Sequence, residues 1–176
     1  MLGGAVLLAA LGCGGGSGDG GGNKTYKGDG YSFSYPGDWA EQSADVSTGR
    51  LDVLVAPPEG GRNAVGLTVL PNAVAKPITN ANIEKAVVAL RPAVVALMLR
   101  EGGVLKDEPA PVTNLNLPGI RFDSESKGLE TKVHQRSTWL FDRTTAYTIS
   151  CTYVASGADE TQKACDLVLK SFKTSD

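Results

Sequence analysis

The residues best suited to catalysis in this chain are one histidine and two carboxylates. His134 is the only histidine, and Asp123 and Glu125 stand two residues apart in a stretch that alternates like a β-strand. Paired carboxylates on one face can serve as general acid and base, and a histidine can activate a nucleophile. These residues therefore raise the hypothesis of a hydrolytic enzyme.

The sequence around these residues favours an exposed strand face over an active site. Lys132, His134 and Arg136 share one face of their segment, and charges that alternate along an exposed strand need no catalytic explanation. The chain contains no Gly-x-Ser-x-Gly, His-x-x-x-His or Cys-x-x-Cys spacing, so the partners that a nucleophile or a metal ion requires are missing from the sequence. We therefore expect no catalysis, no metal site and no cofactor.

Length and charge limit the remaining functions. The 176 residues suffice for one domain with its own core, once the chain ends are discounted. The 17 Lys and Arg residues nearly balance the 19 Asp and Glu residues, and no basic run interrupts that balance. The chain therefore lacks the electrostatic field that attracts nucleic acid, and we expect no nucleic-acid partner.

The first of the three cysteines follows an apolar segment at the amino end of the chain. Residues 1–12 are too few to span a bilayer and end in small residues, as a secretory signal does. Ala10-Leu11-Gly12 before Cys13 resembles a bacterial lipobox, where the cysteine is acylated after cleavage. No Lys or Arg precedes the apolar run, so we expect the natural start to lie further upstream. The alternative is an ordinary signal followed by an unrelated cysteine.

A glycine-rich stretch follows this cysteine. Seven of the nine residues 14–22 are glycine, which has no side chain to bury and much backbone entropy to lose on folding. We interpret residues 13–25 as a flexible tether and residues 26–176 as the folded domain. Several acyl chains on Cys13 would hold that domain stably at the extracytoplasmic face of the cell membrane.

The other two cysteines, Cys151 and Cys165, have features of a disulfide pair. Cys151 lies in AYTISCTYV, where apolar and polar residues alternate as in a strand. Cys165 lies in DETQKACDLVLKSF, on the apolar face of a helical pattern. An exported chain enters an oxidising compartment, where two inward-facing cysteines pair readily. We predict a disulfide, and the alternative is two buried free thiols.

The periodicity of the remaining residues predicts a mixed α+β fold. Short connections join the last three strands, so these strands should form an antiparallel meander. Thr79 or Asn80 could cap the first helix, and Pro92 should kink or divide it. The predicted strands cover residues 31–35, 51–56, 64–70, 104–106, 119–126, 132–141 and 144–154, and the predicted helices cover residues 80–100 and 159–172.

The first predicted helix is more apolar than one packed face requires. Its inner stripe, sufficient to cover a sheet, is accompanied by Val88, Val95 and Leu99 on a second side. These three residues are the candidate binding surface. One explanation is burial under the proline-rich residues 109–118, and the other is a groove for a lipid, an apolar ligand or a partner chain. The inner stripe consists of Ile83, Val87, Leu90, Val94, Leu97 and Met98.

Three motifs resemble those of the PsbP-like fold family, and in particular its actinobacterial lipoprotein branch of the LpqN type. The motifs are YSFSYPGDW near the start, and AYTISCTYV and CDLVLKSF near the end, and the resemblance covers about residues 26–173. It implies a central antiparallel sheet with helices on both faces, an α/β/α sandwich. It also implies a Cys151–Cys165 bridge of the kind that such lipoproteins carry. The family supplies no catalytic residues.

The resemblance implies a binding role, because members of this fold generally bind protein partners or cofactor assemblies. We therefore expect a lipid-anchored, non-catalytic module that binds or scaffolds a protein partner at the cell envelope. The first alternative is a carrier of a small apolar or lipid ligand, with an enclosed cavity beside Val88, Val95 and Leu99. The second is the hydrolytic enzyme.

The anchoring hypothesis predicts the result of a single substitution. Cys13→Ser removes the thiol that is acylated, so the protein should move from the membrane fraction to the soluble fraction of its host. Fractionation followed by immunodetection measures this movement, and Ser17→Ala in the tether should leave the distribution unchanged. Unchanged partitioning of Cys13→Ser would contradict the anchor.

Overall fold

A computed structural model describes residues 22–42, 51–100, 102–112, 117–126 and 131–175. Cys13 and the signal segment lie outside these residues. The described part of the chain has the predicted α+β fold, with antiparallel sheets and two α-helices. The strands are β1 (Asn23–Gly28), β2 (Tyr31–Pro36), β3 (Ala40–Gln42), β4 (Val53–Ala56), β5 (Ala64–Leu70), β6 (Gly103–Leu105), β7 (Ala110–Val112), β8 (Gly119–Ser126), β9 (His134–Asp142), β10 (Thr145–Tyr153) and β11 (Lys173–Thr174), and the helices are α1 (Ile83–Arg100), α2 (Ala158–Ser171) and a short 3₁₀ turn (Ala155–Gly157).

The large sheet is built around β10. Its strands follow the order β3-β4-β5-β10-β9-β8-β6, and β7 pairs with β8 beside β6. Strand β10 pairs with β9 along its whole length and with β5 on its other edge, always antiparallel. The predicted meander of β8, β9 and β10 is therefore confirmed. Its last turn is tight, and Arg143 adopts a left-handed φ of 55° there.

A small sheet of β1, β2 and β11 lies against one face of the large sheet. Strand β1 pairs with β2 from Asn23 to Gly28, and Asp29 and Gly30 form the turn between them. Gly30 has a φ of 79°, a value that glycine adopts without strain. Residues 23–25 therefore belong to a paired strand, and their assignment to the tether is wrong. Backbone pairing, which composition does not reveal, holds them in place.

The two faces of the large sheet have different coverings. Consecutive residues of β10 point to opposite faces of the sheet, so Ala146 lies on one face and Tyr147 on the other. Tyr147 belongs to the cluster formed with the small sheet and α2, whereas Ala146 belongs to the cluster formed with the beginning of α1. The molecule is thus a sandwich, with α1 on one side and α2 with the small sheet on the other, as predicted.

Helix α2 is fastened to the sheets by covalent and polar links. Cys151 and Cys165 are joined in a disulfide between β10 and α2, with their Cα atoms 5.9 Å apart, so the predicted bridge is confirmed. Trp39 is fully buried, and its indole Nε1 donates a 3.0 Å hydrogen bond to Oε1 of Glu160 in the first turn of α2. At the other end, the Ser171 hydroxyl accepts a 2.8 Å hydrogen bond from the backbone N–H of Ser34.

Helix α1 begins later than predicted and continues through its proline. It starts at Ile83 because the preceding residues form a turn, in which the Asn82 side chain accepts from the Thr79 N–H at 2.8 Å. Asn82 stands immediately before the helix, and its side-chain hydrogen bonds run back to the turn, to the Thr79 N–H and the Pro77 carbonyl. The helix then runs without interruption past Pro92 to Arg100, so of the two effects predicted for Pro92, a kink or a division, the division is wrong.

The disulfide should contribute measurably to stability. It closes a loop with a sequence separation of 14, and replacing both cysteines in Cys151→Ala/Cys165→Ala should lower the free energy of unfolding by roughly 3 kcal/mol. Urea unfolding of the oxidised wild type and the variant measures the difference. An unchanged transition midpoint, or quantitative thiol labelling at both positions in the unreduced, denatured wild type, would contradict the bridge.

Candidate interaction surface

Three aliphatic side chains form a stripe on the outer side of α1. We call Val88, Val95 and Leu99 the outer stripe. They are spaced by seven and four residues, so they lie on one side of the helix and extend over about 16 Å along its axis. Val88 is 73% exposed and Leu99 is 67% exposed, whereas Val95 is partly buried.

The packing of α1 on the sheet leaves this stripe outside. Ile83, Val94 and Met98 are buried against residues of β8 and β9 and define the inner face of the helix. Consecutive helical residues point about 100° apart, so Val95 necessarily turns away from the face on which Val94 is buried. A single sheet cannot cover both the inner face and the outer side of α1. The outer stripe therefore needs another element or remains in contact with solvent.

The connection between β6 and β7 lies beside α1 but does not cover the stripe. Arg91 donates two hydrogen bonds to the carboxylate of Glu108 in this connection, one of them 2.7 Å from Nη2 to Oε1. The Arg91 bonds lower the pKa of Glu108, so the pair stays ionised near neutral pH. Val88 and Leu99 are exposed beside this connection, and part of the proposed cover, residues 113–116 of the segment 109–118, lies outside the described residues.

Exposed large apolar side chains are rare in the described part of the chain. They are Leu70, Val88 and Leu99, so two of the three belong to the outer stripe. Scattered exposed aliphatic residues need no explanation, but neighbours on one helix face are a typical feature of interaction surfaces. Val88 and Leu99 both face solvent, so they do not line an enclosed cavity. The stripe is a shallow convex surface.

The residues considered for catalysis belong to a ladder of charged and polar side chains across β8 and β9. Glu125 lies 2.9 Å from Lys132, 3.5 Å from Lys106 and 3.8 Å from Nδ1 of His134. One step along the same strands, Arg136 Nε donates to Asp123 Oδ1 at 3.1 Å. The structure therefore brings the candidate histidine and carboxylates onto one face of the sheet.

The ladder is organised for charge pairing. The hydrogen bond from Lys132 lowers the pKa of Glu125, whereas a general acid requires a raised carboxyl pKa. The imidazole of His134 stacks on the ring of Tyr153, with their centroids 5.5 Å apart and the planes 16° from parallel. Within the described ranges, no group of three His, Cys, Asp or Glu side chains is arranged to hold a metal ion.

A second surface feature, not predicted from the sequence, is an open cleft of about 500 Å³ at the start of α1. One wall is the loop of residues 73–78 and the other is the flank of α1 that carries Ala86, Ala89 and Leu90. That flank lies on the other side of the inner face from the outer stripe. The small residues at 86 and 89 are the only signal in the sequence, because an aperiodic loop forms the second wall.

Comparisons with known proteins identify the fold. No family model and no curated protein matches the chain. Neither of the two described α-helices is both long enough and apolar enough to cross a membrane. Solved structures do match, and two of them cover 94% and 91% of this chain.

Three solved structures resemble this chain over most of its length. Cyanobacterial PsbP (CyanoP) from Synechocystis sp. PCC 6803 matches with a TM-score of 0.64 and 17% identity, over 94% of this chain and 99% of its own. A protein from Bacteroides thetaiotaomicron VPI-5482 matches with a TM-score of 0.57 and 14% identity, over 87% of this chain and 48% of its own. LpqN of Mycobacterium tuberculosis matches with a TM-score of 0.51 and 9% identity, over 91% of this chain and 88% of its own. The chain therefore has the PsbP-like fold.

The exposure of the outer stripe can be tested by stability. Val88→Asp/Leu99→Asp should change the free energy of unfolding by no more than about 0.5 kcal/mol, because both side chains already face water. Val94→Asp, on the inner face of the same helix, should lower it by about 3 kcal/mol or more, because the new charge is buried without a partner. Chemical unfolding measures both effects. A large loss in the double variant would show that the stripe is packed.

Proposed function

We propose that the protein is a lipid-anchored, extracytoplasmic, non-catalytic module that binds a protein partner through the outer stripe of α1. The observation that carries the proposal is the exposure of Val88 and Leu99 on a helix whose inner face is already packed. An apolar stripe beside the Arg91–Glu108 ion pair has the composition of a small interface, with an apolar centre and a charged rim.

The shape of the surface favours a macromolecular partner. A small ligand gains most of its binding free energy in a concave site that surrounds it. The outer stripe is the convex side of a helix and offers a small ligand no enclosure. A protein can instead bury the side chains at i, i+7 and i+11 together in a groove of its own.

The position of α1 is compatible with anchoring at the amino end. The described chain enters the domain at β1, in the small sheet that covers the opposite face of the large sheet. An anchor at Cys13 would therefore attach on the side of the molecule away from α1. A tether that joins the domain there leaves the outer stripe uncovered by the anchor and available to a partner in the extracytoplasmic space.

The cysteines and the structural neighbours support the same location. A buried disulfide between Cys151 and Cys165 suits an oxidising compartment. The LpqN structure is that of a protein involved in cell envelope biogenesis of Mycobacterium tuberculosis. Together with the lipobox-like residues before Cys13, these observations favour an envelope lipoprotein of the LpqN type.

The decisive variant carries two charges on the outer stripe. Affinity purification of the tagged chain from its own host, followed by quantitative mass spectrometry, should recover one protein in near-stoichiometric amount with the wild type. Val88→Asp/Leu99→Asp should reduce that recovery at least about tenfold, because each buried carboxylate would lose its hydration.

The matched control places the same two charges elsewhere. Ala155→Asp/Ser156→Asp modifies two exposed residues before α2 and should recover the partner at the wild-type level. Equal recovery with the stripe variant and the control would contradict the proposed surface. Failure of the wild type to recover any stoichiometric protein would contradict the proposed function itself.

A further inference from the structure

The open cleft at the start of α1 has the size of a ligand site. Its volume of about 500 Å³ lies within the range of small-molecule sites, about 300–1,000 Å³. Its walls are mainly apolar, with Val74 and Ile78 on the loop side and Ala86, Ala89 and Leu90 on the helix side. A hydrocarbon chain is the type of ligand that such an open, mainly apolar cleft can contact along its length.

The loop that forms one wall is held by backbone hydrogen bonds. The N–H groups of Val74 and Ile78 donate to the carbonyls of Thr144 and Arg143 at 3.4 and 3.3 Å, which ties the loop to the turn between β9 and β10. On the helix side, the Asn82 amide donates to the Pro77 carbonyl at 3.0 Å. The loop is therefore bound at both the sheet and the helix, and the cleft is formed before a ligand arrives.

The charged residues of the cleft have one sign. Lys76 on the loop and Lys85 on α1 are exposed lining residues, and the lining contains no carboxylate. Among the residues that the structure describes, neither ammonium group has a carboxylate within 4 Å. The amino end of α1 adds partial positive charge at the same place. An apolar cleft between two available cations complements a molecule with a hydrocarbon tail and an anionic head.

We propose that this cleft binds an anionic single-chain amphiphile, with the tail along Val74, Ile78 and Leu90 and the head between Lys76 and Lys85. The site is independent of the outer stripe, which lies on the other flank of α1, so a ligand in the cleft leaves the protein-binding surface accessible. It also differs from the carrier hypothesis of the sequence analysis, which placed a ligand beside Val88, Val95 and Leu99.

The probe for this site is sodium dodecanoate below its micelle concentration. It is titrated into the 176-residue chain carrying Cys13→Ser, and amide shifts are followed by heteronuclear NMR. Saturable shifts should centre on residues 73–78 and 82–90. Dodecyltrimethylammonium, which has the same tail and the opposite charge, should bind about five- to tenfold more weakly, as expected for two exposed ion pairs.

Variants separate the contributions of head and tail. Lys76→Gln/Lys85→Gln should weaken dodecanoate binding about five- to tenfold and leave dodecyltrimethylammonium binding no weaker than before. Ala89→Trp should block both probes, because Ala89 is an exposed residue at the mouth of the cleft. Lys163→Gln/Lys170→Gln on α2 is the charge-matched control and should bind dodecanoate like the wild type.

Three results would overturn the proposal. The first is the absence of a saturable shift, and the second is equal affinity for the two amphiphiles in the wild type. The third is a set of shifts centred on Val95 and Leu99, which would place the tail on the outer stripe. Because folding of each variant is verified from its own amide spectrum, loss of binding through unfolding is recognised directly.

Discussion

Strand β10 imposes the constraint on which the rest of the structure depends. Both of its edges are paired, so its side chains can be shielded only from above and below the sheet. Tyr147, Ile149 and Cys151 lie beneath α2 and the small sheet, and the disulfide fixes α2 to this strand. The same packing buries tyrosines, and burial is the main cause that raises the pKa of Tyr147 and, to about 12, the pKa of Tyr35.

The position of α1 follows from that arrangement. Because α2 and the small sheet occupy one face, the apolar residues of β8 and β9 on the other face are left for α1 to cover. One helix on a sheet has a buried side and two flanks. In α1 one flank carries the outer stripe, and the other carries the cleft with the loop of residues 73–78. The proposed partner surface and the proposed ligand site therefore follow from the position of α1, which among the described elements is the one helix on its face of the sheet.

Apolar residues that recur every two positions, as in strands, or every 3.6 positions, as in helices, predict the elements that have a buried side. They identify β2, β10 and α2, and with them the disulfide, because burial leaves an alternating or helical pattern in the sequence. Strand β1 has no buried residue, so only its Asp29-Gly30 turn could have indicated it. The start of α1 was shifted by the turn that Asn82 stabilises. The cleft could not be predicted, because it depends on where an aperiodic loop meets the turn at Arg143.

Native mass spectrometry tests the proposed function most directly. The chain carrying Cys13→Ser would be incubated with an envelope extract of its own host and transferred to the gas phase without denaturation. The account predicts a complex whose mass exceeds that of the chain by one further polypeptide, with or without a small ligand. An added mass of only a few hundred daltons, or the free chain alone, would contradict the proposal that this protein binds a protein partner.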